Sequence, residues 1–158
     1  MAVDIASKAF FGSLRNALHL NWPIVLVFAC GLAIRLVALQ HVAIINPDGI
    51  LYINQAKAIA GGQWQLLREI QLPYVSLYPL LIAGIKHLVS DWILSGQLIS
   101  LASSMGMLVV LYRLLRLFFD RIISQLTTLL YTVTPLFVRY SVDVMRDSLF
   151  WFFFTLAL

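Results

Sequence analysis

Long uncharged stretches separated by short polar ones set the pattern of this chain. Nothing is charged from Asn16 to Ile34, and the run passes Arg35 and stays apolar to Leu39, which predicts a first spanning helix over about 22–39. Trp92–Tyr112 is an uncharged run of 21 residues, enough at ~1.5 Å per residue to cross about 30 Å of hydrocarbon. Ile122–Val138 gives 17 uncharged residues, near the lower limit for a crossing helix, and Ser148–Leu158 opens a fourth apolar run of only 11. Residues 40–91 are the most polar stretch. Asn46-Pro47-Asp48-Gly49 and Gly61-Gly62 punctuate it, Ile50–Ala60 reads as a short helix, and Leu72–Ile85 is apolar but broken by Pro73 and Pro79, as suits a re-entrant segment. Residues 1–20 place Ile5, Phe10, Phe11, Leu14 and Leu18 among Lys8 and Arg15, a loosely amphipathic pattern that fits a helix lying on a membrane surface. The expected architecture is all-α, a polytopic transmembrane bundle with an outer loop over 40–91 bearing short interfacial helices.

Composition removes the alternatives. Of 158 residues, 61% are hydrophobic and 11% charged, where an ordinary soluble domain has about 25% charged, so no water-facing surface can be built. The net charge of +4 comes from three lysines and eight arginines with no basic run interleaved with aromatics, which excludes nucleic acid as a partner. The basic residues orient the chain instead. Lys8 and Arg15 in the tail, and Arg113, Arg116 and Arg121 in the turn after the second span, face the cytoplasm, placing 40–91 and 139–147 together on the outer side. The first apolar run exceeds a signal peptide's and lacks a small-x-small cleavage site, so it reads as a retained anchor. The final apolar run is too short to span, and the chain reads as the N-terminal part of a longer transmembrane domain. Cys30 is alone in an apolar run, and His19, His41 and His87 have no metal-ligand spacing. No phosphate-binding glycine loop or GxSxG elbow is present.

The two outer segments hold the chemistry. Asp48 either caps the helix that follows it or presents a carboxylate at the membrane interface. Arg139, Asp143 and Asp147 recur every four residues, with Arg146 beside them. On a helix they would share one face, as a simple ion pair plus a cap or as groups that recognise a substrate. Arg35 fits snorkelling toward head groups at the outer end of the first span. Trp64, Tyr74, Tyr78 and Trp92 fit an interfacial aromatic belt.

The order of these features resembles the GT-C superfamily of membrane glycosyltransferases, in particular the family 39 branch of protein O-mannosyltransferases and aminoarabinose transferases. The resemblance rests on Pro47-Asp48-Gly49-Ile50-Leu51-Tyr52 after the first span, an Ala-rich helix ending at Gly61-Gly62, and Leu77-Tyr78-Pro79-Leu80-Leu81. It continues through Tyr112-Arg113-Leu114-Leu115-Arg116 and the passage from Thr134-Pro135-Leu136 to Arg146-Asp147-Ser148-Leu149-Phe150. It implies transfer of a sugar, with inversion, from a polyprenyl-phosphate donor to a lipid, glycan or protein acceptor at the extracytoplasmic face of a cell membrane of the bacterial inner-membrane kind. The first-loop acid maps onto Asp48 as base, and the second-loop acid onto Asp143 or Asp147. Members commonly carry a paired acid beside the first, where this chain has Pro47 and Gly49. Arg139, Arg146 and Lys57 are the cations available to the departing phosphate, and Tyr52 and Tyr78 the aromatics for substrate. The acids on one face permit a divalent cation and serve equally without one. The alternative from another class is a membrane transporter or flippase for a lipid-linked or small polar substrate, with broken helices and membrane acids as its binding elements. A noncatalytic scaffold, its acids acting only as caps, is the third reading.

Overall fold

The computed structural model describes residues 22–42, 46–69 and 76–158, all its regular elements being helices. The surface helix expected over 1–20, and Pro73 and Tyr74 of the expected re-entrant segment, lie outside the described residues. Helix α1 is Trp22–Gln40. Next come α2 Pro47–Ala60, α3 Trp64–Glu69, α4 Leu77–Ile85, α5 Trp92–Phe118, α6 Arg121–Val133, α7 Pro135–Val142 and α8 Asp147–Leu156. Sequence chemistry sets the boundaries. Asn46 caps α2, its side chain accepting from Asp48 N–H at 3.0 Å, with Pro47 opening the first turn. Gly61 closes α2, and Gly62 takes a left-handed backbone with φ of 66°, which glycine adopts without cost. Asp91 accepts from Ile93 and Leu94 N–H to start α5, and Asp120 accepts from Ile123 N–H to start α6. These two acids are caps.

α5 is the axis of the bundle. α1 runs antiparallel to it, with Phe28 meeting Tyr112, Gly31 facing Leu108 and Arg35 reaching Ser104. α8 runs parallel to it, with Phe152 against Gly106 and, just before the helix, Val144 against Gly96. α2 and α4 pack together over the first turns of α5, burying Tyr52, Ile53, Ala56, Tyr78 and Ile82 in a small core with Ile99 and Val144. The face α5 turns inward is rich in small residues, including Ser95, Gly96, Ser100, Ser103 and Ser104, which let neighbouring backbones come close.

The direction of polarity on α6 identifies the surroundings. Ser124, Thr128 and Thr132 point inward, fully buried, each hydroxyl donating to the carbonyl four residues back, while Ile122 is 68% exposed and Leu126 and Leu130 are exposed with it. In water that helix would be inside out. In hydrocarbon it is correctly disposed, because the apolar face meets lipid and the small hydroxyls satisfy themselves. With α1 and α5 both long and apolar enough to cross, the chain is a helical membrane bundle.

Three local expectations are corrected. The run Ile122–Val138 is not one helix: Pro135 has no N–H to continue α6, so α7 starts there on a new axis. The Arg113–Arg121 stretch is mostly helix, α5 continuing through Arg113 and Arg116 to Phe118, which leaves only Phe119 and Asp120 between α5 and α6. Arg35 does not snorkel. It is 0% exposed, enclosed among α1, α5 and α6.

The close approach at Gly96 carries a prediction. A Cβ there would sit 2.7 Å from Val144 Cγ1, a branched side chain that cannot swing away, so Gly96→Ala is expected to lower stability by about 1–3 kcal/mol. A Cβ at Gly84 would meet nothing within 4 Å. Gly84→Ala is therefore expected to be neutral, or stabilising by up to about 1 kcal/mol through helix propensity. Thermal unfolding of the two variants in detergent checks the contrast.

Candidate active site

The end of the bundle at the N-terminus of α5 gathers the polar groups. Asn46 Nδ2 approaches Met145 Sδ at 3.5 Å, and Met145 carbonyl oxygen accepts from Ser100 Oγ at 3.1 Å. These contacts tie the segment bearing Asp48 to the 143–146 connection and anchor both to α5. Asp48 lies in the first turn of α2, one residue beyond Pro47, and is exposed. Since Asn46 already serves as the cap, Asp48 is not needed for that task. Its carboxylate, in the first turn, complements the helix dipole.

Arg139, Asp143 and Asp147 do not share one helical face. α7 ends at Val142, so Arg139 and Asp143 form an i,i+4 pair at its last turn, while Asp147 opens α8 after a reversal of the chain. Arg139 Nε lies 3.6 Å from Asp143 Oδ2, with the arginine side chain 76% exposed and the aspartate 10% exposed. Burial pushes the Asp143 carboxyl above its ordinary value, and the neighbouring Arg139 guanidinium opposes that rise without cancelling it. Aromatic contacts fix the break around which these groups sit. Tyr131 of α6 stacks on Phe137 of α7 at 4.2 Å, and Trp151 of α8 meets Phe137 and Tyr140 edge to face. Ser148 Oγ donates to Tyr140 carbonyl oxygen at 2.8 Å.

Two grooves flank the 143–146 connection. One, of about 590 Å³, runs between α4 and α8, with Arg146 and Asp147 at its polar rim and Leu77, Leu149, Phe150 and Phe153 along its apolar wall. The other, of about 510 Å³, lies between the end of α1 and the α6–α7 break, with Arg139, Asp143 and His41 beside Ile34, Ala38 and Val138. Each carries one carboxylate and one guanidinium. Lys57 is set apart, lining a third groove of about 370 Å³ with Asp91 and Trp92. Among the described residues no three His, Cys, Asp or Glu side chains are grouped as a metal ion would require.

The tyrosines serve the framework. Tyr78 is 1% exposed, and its hydroxyl donates to Gly96 carbonyl oxygen at 3.0 Å while sharing a 2.9 Å hydrogen bond with Ser100 Oγ. Burial raises its pKa well above the phenolic range, so it stays a neutral donor. Tyr52 meets it edge to face at 5.4 Å. Tyr78 is therefore no part of an aromatic belt, whereas Trp64 is exposed and Trp92 lies under the Lys86 ammonium at 5.4 Å. Sequence reasoning missed Ser100 and Met145, which join the two loops. The only signal for Ser100 was the serine and glycine spacing of a helix otherwise read as plain apolar span, and Met145 carried none.

The fold and this polar end define a helical membrane protein whose acids and guanidinium groups sit at the heads of apolar grooves. A comparison with known families matches residues 74–158 to the dolichyl-phosphate-mannose-protein mannosyltransferase family. That match spans more than half of the chain, which therefore belongs to this family and is a glycosyltransferase of the mannosyltransferase type. The matched residues include Tyr78, Arg139, Asp143, Arg146 and Asp147, while Asp48, Tyr52 and Lys57 precede them. No curated protein and no solved structure matches the chain significantly.

Proposed function

We propose that the protein transfers a sugar from a polyprenyl-phosphate donor to an acceptor hydroxyl at the extracytoplasmic membrane face, with inversion at the anomeric carbon. The acceptor oxygen bonds to that carbon as its bond to the lipid phosphate breaks. Asp48 takes the hydroxyl proton, and the carrier leaves as polyprenyl phosphate. Arg146, at the head of the α4–α8 groove, faces the phosphate, and the apolar wall of Leu77, Phe150 and Phe153 takes the first isoprene units. Arg139 and Asp143 border the neighbouring groove, on the acceptor side. The observation that carries this reading is the Asn46–Met145 contact, which joins the Asp48 segment to the connection between Asp143 and Arg146. A lipid-linked donor also accounts for apolar grooves that begin at charged groups. Asp48, Asp143 and Asp147 belong to segments at one end of the bundle, an arrangement suited to chemistry on a single side, while Asp120 caps α6 at the other.

The test is transfer of labelled sugar from lipid-linked donors by membranes containing the full-length protein, with Asp48→Asn alongside. Transfer by the wild type and its loss in an equally expressed variant supports the reading. Absence of transfer from every donor, together with donor flux in proteoliposomes, replaces it with transport. A photoreactive polyprenyl-phosphate analogue is expected to label Leu77, Phe150 or Phe153. Labelling confined to the α1–α7 groove would exchange the donor and acceptor assignments.

A further inference from the structure

We infer that Arg35, remote in sequence from both polar loops, is a positioning residue that sets the place of the Arg139–Asp143 pair by holding the end of α6. The inference rests on the reading that this pair belongs to the active site. Arg35 Nε donates to Ser104 Oγ of α5 at 3.0 Å, and Nη1 donates to Gly31 carbonyl oxygen of α1 at 3.1 Å and to Thr132 carbonyl oxygen of α6 at 3.4 Å. One side chain thus spans three helices. No carboxylate neutralises it in any of these contacts, and Nη2 is buried without a hydrogen bond.

A buried guanidinium that no carboxylate among the described residues pairs with is costly, so its place needs a reason. The break at Pro135 supplies one. Proline has no N–H to continue the α6 ladder, and the carbonyls of the last α6 turn lose their ordinary donors. Thr132 oxygen is one of these. Arg35 donates to it from another helix and sets a positive charge at the negative end of the α6 dipole. Gly31 makes the approach possible, since a Cβ there would sit 3.0 Å from Thr132 Cγ2 and 3.1 Å from Leu108 Cδ1. Beyond the break, α7 is eight residues long and carries Arg139 and, at its end, Asp143. α7 packs chiefly on α5 and is held to α8 by Phe137, Tyr140 and Trp151, while Arg35 ties the end of α6, from which α7 departs, to α1 and α5. A shift of α6 against α1 therefore opens or closes the groove that Arg139 and Asp143 border.

Arg35→Met removes the tether and the buried charge together, and replacing a buried ion with an apolar residue of similar volume is commonly tolerated by a fold. In a Cys30→Ser background of the full-length protein, nitroxides at Val37→Cys and Leu136→Cys, both exposed, report the α1–α7 separation by pulsed electron resonance. A second pair at Val109→Cys and Leu156→Cys reports α5 against α8. The expected result in Arg35→Met is a distance distribution about twice as broad for the first pair and unchanged for the second. Arg35→Lys, which keeps a donor and the charge, should show less than half that broadening. An unchanged first pair overturns the inference, as does equal broadening of both pairs, which would make Arg35 a general fold determinant. Transfer measured on the same membranes separates the two readings. Broadening with wild-type transfer leaves the positioning role standing and removes the Arg139–Asp143 pair from the active site.

Discussion

Asp48→Asn is expected to lower sugar transfer by about two to four orders of magnitude, the usual contribution of a positioned general base. Asparagine keeps the size and the planar head of aspartate, and the cap that starts α2 is undisturbed because it belongs to Asn46, which accepts from the backbone N–H of residue 48. What the fold loses is a favourable charge at the first turn of α2, worth about 0.3–1 kcal/mol at an exposed site. Expression and thermal stability should therefore stay close to wild type while the turnover number collapses. On the proposed mechanism the Michaelis constant for the donor should change little, because the carboxylate would act on the acceptor hydroxyl and leave the lipid phosphate to the cations. Asp147→Asn, at the rim of the donor groove, should instead raise the donor Michaelis constant or leave it unmoved, with a turnover loss below tenfold. If Asp48→Asn keeps more than a tenth of wild-type turnover, Asp48 is not the base.

The contrast between Asp48 and Arg35 shows what a single sequence exposes. Pro47 and Gly49 flank Asp48 shortly after a long apolar run, so its place near an interface followed from the thickness of the bilayer alone. The same length rule located α1 and α5, because hydrocarbon demands a minimum run of uncharged helix. It could not say which face of a helix turns inward. Arg35 sits near the end of such a run, where lipid-facing and bundle-facing positions look alike in sequence, and snorkelling was the simpler reading. Its burial depends on Gly31, Ser104 and Thr132 coming from three helices, information that exists only after packing. Tyr78 was misread for a related reason. An aromatic in a polar stretch resembles a membrane-interface anchor until its hydroxyl is seen bound to Gly96 and Ser100 across the α4–α5 contact. Pro135 was visible from the start, but an uncharged run of spanning length hid its consequence. The run satisfies the membrane while the proline splits it, and the split turns a repeat of charges every four residues into two groups at the heads of two grooves.

Asp143 gives the enzyme an expected dependence on pH. Its carboxyl is held above the ordinary carboxylate value by burial, with Arg139 pulling the other way. The native state therefore favours the neutral form. The resulting stabilisation is fully present below the unfolded-state value and is lost as pH rises through the raised native value. Activity should follow the opposite sign. Ionised Asp143 holds Arg139 by charge, protonation releases it, and transfer should fall about tenfold per pH unit below the raised value. This transition should lie at higher pH than an ordinary aspartate's. Arg139→Gln removes the lowering influence and should move the stability transition further up in pH, and it should remove the activity transition, which depends on the guanidinium. Asp143→Asn should abolish it, leaving a flat profile until another group titrates, and should also remove the opposing pH dependence of thermal stability. Because Arg139 is largely exposed, its coupling to Asp143 is screened by solvent, and raising salt should move the wild-type stability transition toward that of Arg139→Gln. A transition that survives unchanged in Asp143→Asn would assign the pH dependence to a different group and leave the pair with a structural task at the end of α7.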